Sequence, residues 1–242
     1  MRRRSPLEPG VIEVPKLIPI EIPPHVLMLR GIGWDSNIYL VRDGGEALIV
    51  DTGTGVNWHA YASVMEEYLS GVESVTVFNT HEHFDHVGGN RALRGWLEES
   101  GMEVHFAAHE ITARTLERGD DYVILSYAYG RRFEPQKVDL HLGDRSLLKI
   151  GSLELELIHT PGHTAGSSCL YLDDGETRVM FTGDTIFNGT VGRTDLPTGD
   201  GEALRRSVER LSEYDVDFGL PGHGKHIEDW RGNIEEILGW LR

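Results

Sequence analysis

The sequence predicts a mixed α/β fold, and three observations predict it. Short β-type runs fall into two groups, one before about residue 110 and one after about 138. Segments of helical period punctuate both groups. Glycine-marked turns follow many of the strands, and several carry metal-ligand side chains. Two strand groups with interspersed helices suggest two sheets packed face to face with helices outside, although periodicity alone establishes only the mixed class.

The proline-rich residues 1–24 read as an extended arm, an edge strand against the main body, and residues 25–242 as a single domain. HVLMLRG, SNIYLVRD and EALIVDTG are strands, with Gly44-Gly45 turning a hairpin over 36–50. Residues 57–70 put Trp58, Tyr61, Val64, Met65, Tyr68 and Leu69 on one helical face. VESVTVFNT reads as a buried strand, NRALRGWLEES as a helix and EVHFAA as a strand. An insert at 109–140 is mostly helical to residue 132, broken at Gly119. The pattern then returns to β through SLLKIG, LELELIHT, SSCLYL and TRVMFTG. A helix at 200–212, a short strand at 217–221 and a helix at 227–241 complete the reading.

Composition narrows the function. Acids outnumber bases 39 to 23, a formal charge of −16, which opposes the phosphate contacts that nucleic-acid binding needs. Cys169 is the only cysteine, so no internal disulfide and no CxxC metal site can form, which favours a reducing compartment. MRRRSPLEPG has no apolar run behind its arginines, and prolines and acids break the next stretch. Neither a signal peptide nor a membrane span is expected, and the protein reads as cytoplasmic with a small-molecule substrate. Oligomeric state is not encoded in any recognisable pattern.

The chemistry concentrates at residues 80–89, THEHFDHVGG. Alternate residues at a strand end point the same way, so His81 and His83 converge while Glu82 points away. Asp85 and His86 lie in the turn into the next helix, within reach of a second ion, and Gly88-Gly89 lets that helix begin close by. His163 in HTPGHTAGS, Asp184 in FTGDT and His223 in LPGHGK each stand at a strand end beside small residues. A single such residue is ordinary in a solvated turn; the set points to a dinuclear site of imidazole and carboxylate ligands.

HEHFDH resembles the HxHxDH signature of the metallo-β-lactamase fold superfamily, and His163, Asp184 and His223 follow in the expected order, a match running from about residue 26 to 224. The resemblance implies a four-layer αββα sandwich of two mixed β-sheets. It implies that His81, His83 and His163 hold one metal, that Asp85, His86 and His223 hold the other, and that Asp184 bridges them. Asp51 in VDTG matches a position that orients ligands from behind. Two divalent ions, zinc by default with iron or manganese as alternatives, would activate a bridging hydroxide, with Asp85 holding or accepting its proton. No cysteine nucleophile is needed, and Cys169 reads as a small buried residue.

DTIFNGTVGRTDLPTGD resembles the GRTD-containing loop of glyoxalase II-like members, which implies hydrolysis of a hydroxyacyl-glutathione thioester; Arg193 and Asp195 would brace that loop. The helical C-terminal region that supplies cationic contacts to glutathione in full-length glyoxalase II has no counterpart after LPGHGK, which leaves glutathione and the substrate-binding residues open. Lys225 and the aromatic and arginine residues of the insert, Tyr122, Tyr127, Tyr129, Arg131, Arg132 and Phe133, are the candidates near a pocket. Two alternatives share the motifs: a persulfide dioxygenase, with one iron on His81, His163 and Asp184, and a lactonase. A non-catalytic metal-binding module is the third class.

Overall fold

The computed structural model describes residues 17–23 and 25–241. Most of the expected arm, residues 1–16 and Pro24, lies outside that range. Within it, β1 (Ile20–Ile22) pairs antiparallel with β2 (Val26–Leu29) at the margin of a sheet. The 36–50 hairpin is β3 (Ile38–Asp43) and β4 (Glu46–Val50), with Asp43 opposite Glu46 and Gly44 at a φ of 59° that glycine adopts without strain.

Beyond β4 the first sheet turns parallel, because helical crossovers return the chain to the same end each time. α1 (Trp58–Tyr68) leads to β5 (Ser74–Asn79). The one-turn α2 (Phe84–Val87) and α3 (Asn90–Glu99) lead to β6 (Glu103–His109). α4 (Glu110–Arg118), α5 (Asp121–Ile124) and a 3-10 turn at Ser126–Tyr129 lead to β7 (Leu140–Leu142). The insert is therefore not one helix: Gly119 takes a left-handed φ of 62°, and Asp120 caps a new turn through Val123 N–H.

The second sheet is an antiparallel meander of β8 (Leu147–Ile150), β9 (Leu153–His159), β10 (Ser168–Asp173) and β11 (Arg178–Gly183). A small ribbon, β12 (Ile186–Phe187) with β13 (Thr190–Val191), and α6 (Gly201–Leu211) precede β14 (Phe218–Pro221), which lies parallel to β11. α7 (Trp230–Trp240) closes the fold. It begins later than the periodicity predicts because Ile227 is bridged to Gly219 and Asp229 supplies the cap.

Strict alternation along the strands builds three apolar layers. Tyr39, Val41, Leu48 and Val50 face Leu155, Leu157, Leu170 and Phe181 between the sheets. Ile38, Leu40 and Ile49 face the other way, onto Tyr61 and Met65 of α1 and Leu93 and Leu97 of α3. On the far side, Ile158, Cys169 and Met180 pack on Val208 and Leu211 of α6 and on Ile234 and Ile237 of α7. Helix, sheet, sheet, helix is the αββα sandwich. No helix among the described residues is long and apolar enough to cross a membrane.

Candidate metal centre

All seven expected ligand residues converge at one end of the sandwich. His81 to His86 follow β5 in the first sheet, while His163 lies in the β9–β10 turn, Asp184 just past β11 and His223 just past β14. Ligand atoms fall into three overlapping sets, His81–His83–His163, His81–His86–Asp184 and Asp85–His86–His223, each within 4.8 Å. His83 Nδ1 is 2.9 Å from His163 Nε2, and His86 Nε2 is 3.3 Å from His223 Nε2. Nitrogens roughly 2.0 Å from a tetrahedral ion stand about 3.3 Å apart, so both pairs have the spacing of shared ligands. One Asp184 oxygen is 3.2 Å from His86 Nε2 and the other 3.5 Å from His163 Nε2, so this carboxylate stands between the two sets.

The donor set fits divalent metal. His81 Nε2 and Asp184 Oδ1 are buried without a hydrogen bond, the latter despite its closeness to His86. Buried polar atoms are rarely left so, and a cation would satisfy them. Burial, then the neighbouring imidazoles, hold His81 well below its ordinary pKa and His83 down to about 3, which keeps both in the neutral form that ligates. Burial opposes charge on Asp184 as well, yet His86 and the other imidazoles hold it ionised, well below the usual carboxylate range.

The residues behind the ligands fix their orientation. Asp51 Oδ2 is 2.7 Å from His86 Nδ1, and its oxygens accept from Thr80 N–H at 2.9 Å and Thr80 Oγ1 at 2.8 Å. Asp51 does this at a φ of 60°, a left-handed conformation that is a strain signal outside glycine. Thr80 Oγ1 also reaches His81 Nδ1 at 3.1 Å. His163 Nδ1 donates to the main-chain oxygen of Arg193 at 2.7 Å, while the Arg193 side chain grips Asp195 through two 2.7 Å bonds.

Several contributors are invisible to motif reading. The Arg193 carbonyl is one, since any residue offers it. Asn37 is another: its Nδ2 donates to Pro221 O at 2.9 Å and its N–H to Gly222 O at 2.6 Å, fastening the β2–β3 loop to the His223 turn. Gly222 is a third, since a Cβ there would stand 2.6 Å from His86 Cε1. The two remaining histidines nearest the site in sequence are engaged elsewhere: His159 stacks on His109 with centroids 3.9 Å apart, and His226 pairs with Glu228 at 3.0 Å.

α2 divides the ligand cluster from a cleft of about 1060 Å³. Asp85 and His86 face the cluster, while Phe84, Val87 and Gly88 line the cleft with Trp58, Trp96 and Arg131. The insert supplies Arg131, Arg132 and Phe133 to this cleft. Tyr129 packs on Phe84 with ring centroids 5.2 Å apart, and burial together with the nearby carboxylates of Asp85 and Asp184 pushes its hydroxyl pKa up. Tyr122 and Tyr127 are exposed.

Fold and site together define an αββα sandwich with a candidate metal centre of imidazoles and carboxylates. The chain belongs to the metallo-β-lactamase superfamily, whose family model matches residues 31–223. The "Probable metallo-hydrolase MJ0888" of Methanocaldococcus jannaschii is 33% identical over 205 residues, 83% of this chain and 93% of that protein. "Hydroxyacylglutathione hydrolase GloC" of Haemophilus influenzae is 32% identical over 156 residues, 61% of this chain and 67% of that protein. The human "Acyl-coenzyme A thioesterase MBLAC2" is 29% identical over 216 residues, 78% of this chain and 72% of that protein. Among solved structures, the BLEG-1 B3 metallo-β-lactamase superposes with a TM-score of 0.73 at 27% identity, covering 89% of this chain and 99% of that one.

Proposed function

We propose that the protein hydrolyses thioesters, with the hydroxyacyl-glutathione type as the first substrate to test. The carrying observation is the Asp184 carboxylate, placed between a three-histidine set and an Asp85–His86–His223 set. His81, His83 and His163 would hold one divalent ion, Asp85, His86 and His223 a second, and Asp184 both. When bound, such a pair acidifies water toward neutral pH and polarises a carbonyl. Asp85 is the chain's own group for the proton. Its carboxylate is partly exposed at the rim and 3.1 Å from His223 Nε2. Burial and the neighbouring Asp85 carboxylate push the Tyr129 hydroxyl pKa up, which keeps it protonated beside Asp85. Cys169 takes no part: it is fully buried, and burial pushes its thiol up to about 11.

Two relatives named for thioester cleavage support the bond and differ in the thiol, glutathione in one and coenzyme A in the other. The cleft across α2, with its aromatic floor and arginine rim, is the proposed berth for that thiol portion. The test is metal content per chain together with turnover of S-lactoyl-glutathione, an acyl-coenzyme A, an uncharged thioester and a simple lactone. Two ions and thioester turnover well above lactone turnover are expected. One iron per chain with glutathione-persulfide-dependent oxygen uptake would replace this reading with a dioxygenase, and preferred lactone turnover would replace it with a lactonase.

A further inference from the structure

Glu82 stands between two proposed ligands, His81 and His83, and points away from the cluster as strand alternation requires. It does not reach solvent. Its side chain is fully buried, an unusual place for a carboxyl group outside a site. Oε2 accepts from Thr112 Oγ1 at 2.8 Å and from Thr164 Oγ1 at 3.1 Å, and Oε1 is buried without a partner. Thr112 belongs to α4 and Thr164 follows His163 directly. Thr112 Oγ1 also lies 3.1 Å from Gly166 O, and Thr164 Oγ1 3.0 Å from Ser167 Oγ. A Cβ on Gly166 would come within 2.9 Å of Glu82 Oε2, so glycine permits this approach.

This network joins three separate stretches of chain: the turn carrying His81 and His83, the turn carrying His163, and the first turns of α4. Beside it, the main-chain oxygen of Thr80, just before His81, accepts from Ser168 N–H at 3.0 Å and from Ser168 Oγ at 3.2 Å, a tie at the end of the His163 turn. His163 has its carbonyl partner on Arg193, which orients the ring but belongs to a loop on the other side. Glu82 is the side chain that adds a direct tie to Thr164, next to His163 itself.

We infer that Glu82 is a positioning residue for the three-histidine half of the site, setting His163 against His81 and His83 through the hydroxyls of Thr164 and Thr112. This rests on the reading that these histidines hold metal. The role needs an acceptor of carboxyl shape at this point, so an amide of equal size serves and a hydrocarbon does not. It acts on one half only, because its hydrogen-bond partners Thr112 and Thr164 lie on the His163 side.

Metal titration of the apo-protein tests this, read as stoichiometry and as the absorption spectrum of bound cobalt(II), with wild type, E82Q, E82A and T164V compared. Wild type should bind two ions per chain. E82Q should stay within about threefold of wild type in both affinities. E82A and T164V should weaken one ion at least tenfold, alter its cobalt spectrum, and leave the other ion unchanged. T164V keeps the shape of the side chain, so it decides the matter should E82A fail to fold. Wild-type affinities for both ions in T164V, or equal weakening of both, would overturn the inference. Wild type binding no ion would instead remove the metal reading beneath it.

Discussion

The Nδ1 of His163 lies 2.7 Å from the main-chain oxygen of Arg193, so a candidate ligand of the proposed three-histidine set is aimed by backbone and not by a side chain. The arginine that makes this loop recognisable acts at one remove, holding Asp195 and thereby the loop's shape. Replacing Arg193 by alanine should therefore cost less than replacing its neighbour Gly192, where a Cβ would stand 2.9 Å from His163 Nδ1 and against the Asp184 carbonyl. Partners behind a metal ligand are worth about 10–100-fold in affinity or activity. The G192A variant should show a loss in that range and R193A a smaller one, measured by metal content and turnover. A larger loss in R193A would mean that its side chain contacts substrate.

Asp51→Asn isolates the carboxylate behind His86. Asparagine tolerates the left-handed backbone at this position, so the turn should survive. Metal affinity or activity should fall about 10–100-fold. Thermal unfolding of the apo-protein checks that the fold is retained, and an unchanged metal affinity would count against the orienting role.

The cleft across α2 predicts a charge effect. Arg131 lies on its rim, and no ion pair is formed by it among the described residues. Arg131→Glu should raise KM several-fold for thioesters with an anionic thiol portion, leave kcat nearly unchanged, and spare an uncharged thioester. An equal effect on both kinds of substrate would place the thiol portion elsewhere.

Asp139 clamps the insert to the first sheet, accepting from Phe106 N–H at 2.9 Å and from Lys137 at 2.7 Å. Burial favours its neutral form, but Lys137, the Phe106 N–H and Arg94 outweigh this and lower its pKa. A carboxylate depressed in the folded state adds stability above its unfolded pKa, about 3.9, and loses it as pH falls through the lower folded value. The urea midpoint of D139N should fall below wild type at pH 7, and the gap should narrow as the pH drops below 4. A gap independent of pH would assign the effect to shape.

Much of this was legible in the residues because it is periodic or punctuated. Alternation in SNIYLVRD and EALIVDTG predicts the hairpin, and Tyr39 and Val41 do face the inter-sheet core while Ile38 and Leu40 face α1 and α3. The convergence of the candidate ligand residues was legible because histidines and aspartates beside small residues recur at strand ends. What escaped were contributions that side-chain identity does not encode. The Arg193 carbonyl and the Asn37 tie to Pro221 and Gly222 depend on loops meeting in space. Glu82 does point away from His81 and His83 as alternation predicts, but alternation gives the direction of a side chain and not the Thr112 and Thr164 hydroxyls that it meets there.

Four of the seven candidate ligand residues follow a strand of the first sheet and three lie at strand ends of the second, and the contacts between them link positions 80 and 138 residues apart in sequence. Ions held there would act as stitches across the seam between the two halves, added to the apolar packing and to hydrogen bonds such as those of Asn37 to Pro221 and Gly222 that already cross it. Because the unfolded chain offers no such pocket, their binding energy would become folding energy. Unfolding temperature should therefore rise with free metal and drop on chelation, and the same chelation should loosen the seam before it loosens either sheet. Hydrogen exchange would show this first at the ends of β11 and β14, where the second sheet hands its ligands to the first.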